Sequence, residues 1–214
     1  MDTTKRSPGA IAPNRLEAFS DGVFAIAATL LIIEIKVPLV EANNSLGRAL
    51  VDLWPSYVAY ALGFATIGVM WINHHLLIGL MQRIDRRLLY LNLALLGVVA
   101  FIPFPTAVLA EYLTEDSADN LKAAAIFYGF VMVLLSVMFT SLWSHLRRTP
   151  DLSKDGQASN AIATRALKFS GIGLALYLLA IGVAFVSPPL AVGMFGALVI
   201  LFAAGRLVPQ SLAL

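Results

Sequence analysis

Residues 15–37, RLEAFSDGVFAIAATLLIIEIKV, read as one membrane-crossing helix with polar ends. Between Asp21 and Glu34 lie twelve residues without a charge, roughly 18 Å of α-helix at about 1.5 Å per residue. A bilayer core asks for roughly 30 Å, or about twenty residues. Taken alone, the stretch is either a buried soluble helix or a spanning helix with Asp21 and Glu34 at membrane depth, off the lipid face. An acidic side chain inside a membrane segment is costly and turns toward a bundle interior or a water path. Composition decides for the second reading. The chain has 214 residues, 59% hydrophobic and 13% charged, with mean hydropathy +0.81, whereas soluble domains carry about 25% charge.

Five further apolar segments follow, at about 54–76, 88–110, 122–145, 167–186 and 190–207. The expected fold is therefore all-α, a polytopic membrane protein of six transmembrane helices assembling around a central pore. Pro103 and Pro105 should kink or loosen the far end of the third. The SPP turn at 187–189 leaves room only for a tight antiparallel hairpin of the last two. Gly63, Gly68, Gly171, Gly173 and Gly182 are candidates for close helix approach. Trp54, Trp71 and Trp143 lie near segment ends, where interfacial belts favour tryptophan. The links at 38–53 and 146–165 read as polar connections, and 111–119 as a solvated acidic loop. Residues 1–14 read as a flexible arm without a cleavable signal, Asn14 being placed to cap the first helix, and 208–214 as a short tail.

Charge sorts the loops. Lys5, Arg6, Arg15, Arg83, Arg86, Arg87, Arg147, Arg148, Lys154, Arg165, Lys168 and Arg206 fall on one side; Lys36, Arg48 and Lys122 fall on the other. The positive-inside rule puts both termini in the cytoplasm, which an even number of crossings requires. The same short basic segments make topology, not nucleic acid, the reason for the net charge of +2. With no cysteine there is neither a disulfide nor a thiolate metal site.

On a helical wheel, turning about 100° per residue, Gly22, Ile26, Leu30, Ile33 and Val37 share one stripe, with Thr29 beside it and Asp21 about 140° from Ile26. The stripe either meets lipid and protein core, or faces a symmetry axis and forms apolar constrictions that gate by dewetting. Thr29 either offers a hydroxyl to the same axis or bonds back to a carbonyl one turn earlier.

RLEAFSDGVFAI resembles the R-x-x-x-F-S-D signature of the transmembrane protein 175 family of potassium channels, through Arg15, Phe19, Ser20 and Asp21. WINHH at 71–75 resembles that family's aromatic-asparagine-histidine motif. A single signature is similar to the single-repeat, prokaryotic-type members. The resemblance implies a homotetramer in the plasma membrane, with a six-helix channel domain over 15–207. Its pore would be lined by the first helix, with narrow apolar layers at Ile26, Leu30 and Ile33 and a hydroxyl layer at Thr29. The implied function is a potassium-permeant cation channel and not an enzyme. The alternative is a proton-coupled or ion-coupled transporter, which would need a polar midplane site that these aliphatic segments lack. No TVGYG-like loop is present, so a carbonyl filter is not expected. Implied partners are potassium and other monovalent cations, the lipid bilayer and further copies of the chain, with no nucleic acid, no cofactor and no metal beyond transient potassium.

The second segment returns to the side where the first begins, so WINHH lies level with FSD. Polar groups at that depth need partners. The expected arrangement is a knot of Arg15, Phe19, Ser20, Asp21, Trp71, Asn73, His74 and His75 that pins the first helix, with Asp21 accepting from a histidine or Trp71. Its rival is a proton relay through Asp21 and histidine. Adjacent His74 and His75 project about 100° apart on a helix, so they do not form a metal-binding pair.

Overall fold

The computed structural model describes residues 13–39, 45–114 and 117–204. Residues 1–12 of the arm expected over 1–14, the tail at 208–214 and parts of two loops lie outside the described residues. Those described form helices: α1 (Pro13–Leu30), α2 (Leu46–Asp52), α3 (Trp54–Gly79), α4 (Arg86–Phe101), α5 (Pro103–Tyr112), α6 (Ala118–Arg148), α7 (Gly156–Ala184) and α8 (Pro188–Ala204). Counting α4 and α5 together, five spans are long and apolar enough to cross a membrane, and α8 adds a sixth apolar helix of 17 residues. The fold is all-α and polytopic.

Local chemistry sets most boundaries. Pro13 opens α1, where its missing amide hydrogen costs nothing and its φ suits a first turn. Asn14 therefore lies inside the helix instead of capping it. At the other end, α1 stops at Leu30 and tightens into a 3-10 turn over Leu31–Glu34. The β-branched pair Ile32–Ile33 and the approach to Pro38 both disfavour a further α-turn. The single crossing helix expected to reach Val37 thus ends earlier, with Ile35 already extended.

The third apolar segment breaks at Ile102, which is fully buried between α4 and α5. Pro103 and Pro105 fall in the first turn of α5, the place where proline is tolerated. The link at 38–53 contains α2, whose N-cap Ser45 accepts from the Arg48 amide at 3.3 Å. The link at 146–165 is mostly helix. α6 runs to Arg148, a 3-10 turn covers Pro150–Leu152, and α7 starts at Gly156. Asp155 starts it by accepting from the amides of Gln157 at 3.0 Å and Ala158 at 3.1 Å, a carboxylate on orphan donors at a helix N-terminus.

α1 packs on α3, α4 and α5, while α6 packs on α4, α5, α7 and α8. Leu77, Leu88, Leu95, Val99, Ile102, Met132 and Leu142 fill the space between these helices with no exposed surface. Three glycines let backbones approach. A Cβ on Gly129 would lie 2.6 Å from Ile181 Cγ1, one on Gly173 2.8 Å from Phe202 Cζ, and one on Gly63 3.0 Å from Leu31 Cδ2. Gly68, Gly171 and Gly182 face open space, so they do not have the close-packing role expected of them. Gly173 against Phe202, with the Tyr177 ring against those of Phe195 and Phe202, holds α7 and α8 as the antiparallel hairpin that SPP requires. Trp143 is buried in the core, not placed in an interfacial belt, whereas Trp54 and Trp71 are partly exposed.

Candidate functional site

α1 has two faces. Leu16, Ser20, Phe24 and Ala27, and then Leu31 in the 3-10 turn, are buried against the rest of the chain. Their spacing of three and four is that of one helical stripe. The opposite side carries Gly22, Ile26, Thr29, Leu30 and Ile33, all exposed. Ile26 is 61%, Leu30 39% and Ile33 70% exposed, so all three turn away from the rest of the chain. The 3-10 turn alters their alignment. At about three residues per turn, side chains at i and i+3 eclipse, which stacks Ile33 over Leu30 where a continuous α-helix would stagger them. The Thr29 hydroxyl donates to Ala25 O at 3.0 Å and Ile26 O at 2.9 Å. Its proton is thus engaged on its own helix, and its lone pairs remain on the exposed side.

The polar residues near the start of α1 do not form a single knot. They form three separate ties to α3 and α4. The first runs through Ser20, Asn92 and His74, all three fully buried. The Ser20 hydroxyl donates to Leu16 O at 2.8 Å, so its oxygen can only accept from elsewhere. Asn92 Nδ2 donates to it at 3.0 Å. That orients the amide, and Asn92 Oδ1 must accept from His74 Nε2 at 2.7 Å. One known proton therefore sets every direction in the chain, which ends on a backbone carbonyl. The other ring nitrogen of His74, Nδ1, is buried and without a partner among the described residues; the ring packs on Phe24 with centroids 5.3 Å apart.

The second tie is Trp71 Nε1 donating to Asp21 Oδ1 at 2.9 Å. The third is His75 Nδ1 to Glu17 Oε1 at 3.1 Å. Asp21 therefore meets an indole, a donor that does not exchange its proton in a relay, and bonds to neither histidine. An amide separates His74 from Ser20. Among the described residues, Asp21, His74 and His75 thus belong to three separate ties.

Three residues expected in the knot are placed elsewhere. Asn73 Nδ2 donates to Val69 O of its own helix at 2.8 Å. Phe19 is exposed on the outer side of α1. Arg15 is exposed and makes no ion pair among the described residues. In their place the structure brings in Glu17 and Asn92. Asn92 carried a signal, since a lone amide inside LNLALL cannot stay unpartnered in a membrane segment.

At the far end of α1, a cavity of 320 Å³ opens beside the 3-10 turn, lined by Leu31, Glu34, Tyr60, Thr106 and Glu111 among others. Lys36 Nζ approaches Glu111 Oε2 at 3.7 Å across its rim. Both side chains are well exposed, so the pair adds little stability.

Residues 15–103 match the family described as endosomal/lysosomal potassium channel TMEM175. A Streptomyces collinus protein named as a potassium channel is 47% identical over 188 residues, 88% of this chain and 90% of that one. A Chamaesiphon minutus protein, also named as a potassium channel, is 43% identical over 88% of this chain and 92% of its own. Among solved structures, one described as a homolog of the lysosomal potassium-selective channel TMEM175 from Chamaesiphon minutus superposes with a TM-score of 0.78 at 42% identity. It covers 89% of this chain and 96% of that chain.

Proposed function

Since the chain belongs to the TMEM175 family, we propose that it is a potassium-permeant cation channel of the plasma membrane. Four copies would place their α1 helices around one axis, with both termini in the cytoplasm. The observation that carries this reading is the outer face of α1. It presents large aliphatic side chains at Ile26, Leu30 and Ile33, while Ser20, Asp21 and Glu17 all turn to partners within the subunit. A ring of four such side chains excludes water when narrow and passes a partly hydrated cation when wider. Thr29, with its proton committed to the helix, would offer each passing cation an oxygen dipole without a fixed charge. The three polar ties would hold α1 in its subunit instead of carrying protons.

The test is flux from liposomes, comparing potassium, sodium and protons for the wild type, Ile26→Ala and Leu30→Ala. The expected result is electrogenic, uncoupled potassium flux that increases when either side chain is shortened. Strict exchange with a second ion, or flux indifferent to both substitutions, would refute the reading.

A further inference from the structure

A second cavity lies away from α1, between the basic ends of α4 and α6. It measures 210 Å³ and is lined by Arg87 and Leu91 of α4 and by Thr140, Ser141, Ser144, His145 and Arg148 of α6. Neither guanidinium has an ion-pair partner among the described residues. Thr140 and Ser141 donate to carbonyls of their own helix, each at 2.8 Å; Ser144 makes no hydrogen bond among the described residues. Asp85, the carboxylate bonded to the lining residue His145, is already used twice. One oxygen accepts from the Leu88 amide at 2.7 Å and the other from His145 Nε2 at 2.8 Å. The cavity thus gathers two unpaired guanidiniums and one free hydroxyl donor, that of Ser144, with no lining anion.

Its lining is graded along the helix. Arg148 ends α6, while Ser144 and Thr140, four and eight residues back, lie roughly 6 Å and 12 Å further in along the helix. Charged donors thus lead the cavity, and hydroxyl-bearing residues follow toward the apolar stretch of α6. On α6, Arg148, Ser144 and Ser141 continue as Val137, Leu134 and Phe130, alternating steps of four and three that keep to one side of the helix. All three of these apolar residues are exposed. A polar pocket leading into an exposed apolar track is the outline of an amphiphile.

We propose that this cavity binds the phosphodiester headgroup of an anionic phospholipid, with an acyl chain lying along Val137, Leu134 and Phe130. Guanidinium and hydroxyl donors are the chemistry that phosphate selects, and basic pockets between transmembrane helices are suited to such headgroups.

The test is native mass spectrometry of the purified full chain in neutral detergent, titrated with phosphatidylglycerol, phosphatidylcholine or inorganic phosphate. Phosphatidylglycerol should be retained and phosphatidylcholine should not. Arg87→Gln with Arg148→Gln should weaken retention about ten-fold or more. Arg86→Gln with Arg147→Gln removes the same charge from neighbouring exposed positions outside the lining and should leave retention within about two-fold. Ser144→Leu fills the pocket at unchanged charge and should weaken retention too, which keeps the test open if the double arginine variant does not fold. Equal losses from both arginine pairs would reduce the effect to general charge and overturn the proposal. Displacement of the lipid by inorganic phosphate would make the site one for soluble anions and overturn it as well. Neither outcome bears on potassium flux.

Discussion

Asn92→Leu tests whether α1 is held by the directed chain of hydrogen bonds. The two side chains share the same branching of heavy atoms, and the substitution removes two interhelical bonds, to His74 at 2.7 Å and Ser20 at 3.0 Å. Ser20 loses an accepted bond but keeps its own donation. His74 suffers more: with Nδ1 already unpartnered, its fully buried ring would have no hydrogen bond left. Interhelical hydrogen bonds in membranes average about 0.6 kcal/mol, and about 1.7 at most, while an orphaned buried donor costs about 1–3 kcal/mol. The expected loss is therefore about 2–3 kcal/mol. Asn73→Leu, at the position next to His74, removes a bond only to its own helix and should cost under about 0.5 kcal/mol. Adding His74→Phe to Asn92→Leu replaces both partners by apolar groups and should recover part of the loss. The assay is reversible unfolding in mixed micelles followed by tryptophan fluorescence. If Asn92→Leu lies within about 0.5 kcal/mol of wild type, or Asn73→Leu costs as much, the chain is not what holds α1.

Two further outcomes follow from the packing and from the cap of α7. Gly129→Ala forces a Cβ to 2.6 Å from Ile181 Cγ1, an atom next to the backbone that cannot swing aside, and should cost about 1–3 kcal/mol in thermal unfolding. Gly68→Ala meets nothing within 4 Å and should be neutral or slightly stabilising. Asp155→Ala leaves two amides at the start of α7 unpaired and should cost about 1 kcal/mol. Faster hydrogen exchange over 156–165, with 170–184 unchanged, would show it.

The six apolar segments were legible because hydropathy reports what must leave water. The same measure hid the first three turns of α7. Polar residues there made a helix look like a link, although Asp155 before Gly156 and the alanines at 158, 161 and 163 carried a capping and propensity signal. The stripe through Ile26, Leu30 and Ile33 could be drawn on a wheel, but not its 3-10 end, because an ideal wheel assumes one period throughout. The polar site was legible by depth and not by partner. WINHH and FSD do meet, through Trp71 with Asp21. Which histidine meets which helix depends on rotation about α3, and that is fixed by packing remote in sequence. Asn92 lay in a third helix, outside both motifs, so pairing the motifs with each other could not find it.

The three ties all attach within residues 17–21 of α1, to Trp71 and His75 on α3 and, through Asn92, to α4. Beyond Asp21, the described hydrogen bonds of α1 side chains are those of Thr29 to its own helix. The half that carries Ile26, Leu30 and Ile33 is held instead by Phe24, Ala27 and Leu31, apolar groups packed against the core. Hydrogen bonds are directional and fix rotation about a helix axis; apolar packing is far less so. One helix can thus be pinned in azimuth at its basic end and keep freedom at the other. If rings at positions 26, 30 and 33 widen to pass a cation, the movement that costs least pivots about residues 17–21 and is absorbed where α1 gives way to the 3-10 turn. Gly63 sets a limit on that freedom. Leu31 sits against it so closely that a Cβ there would lie 3.0 Å away, and any swing of the far half must slide this one contact along α3.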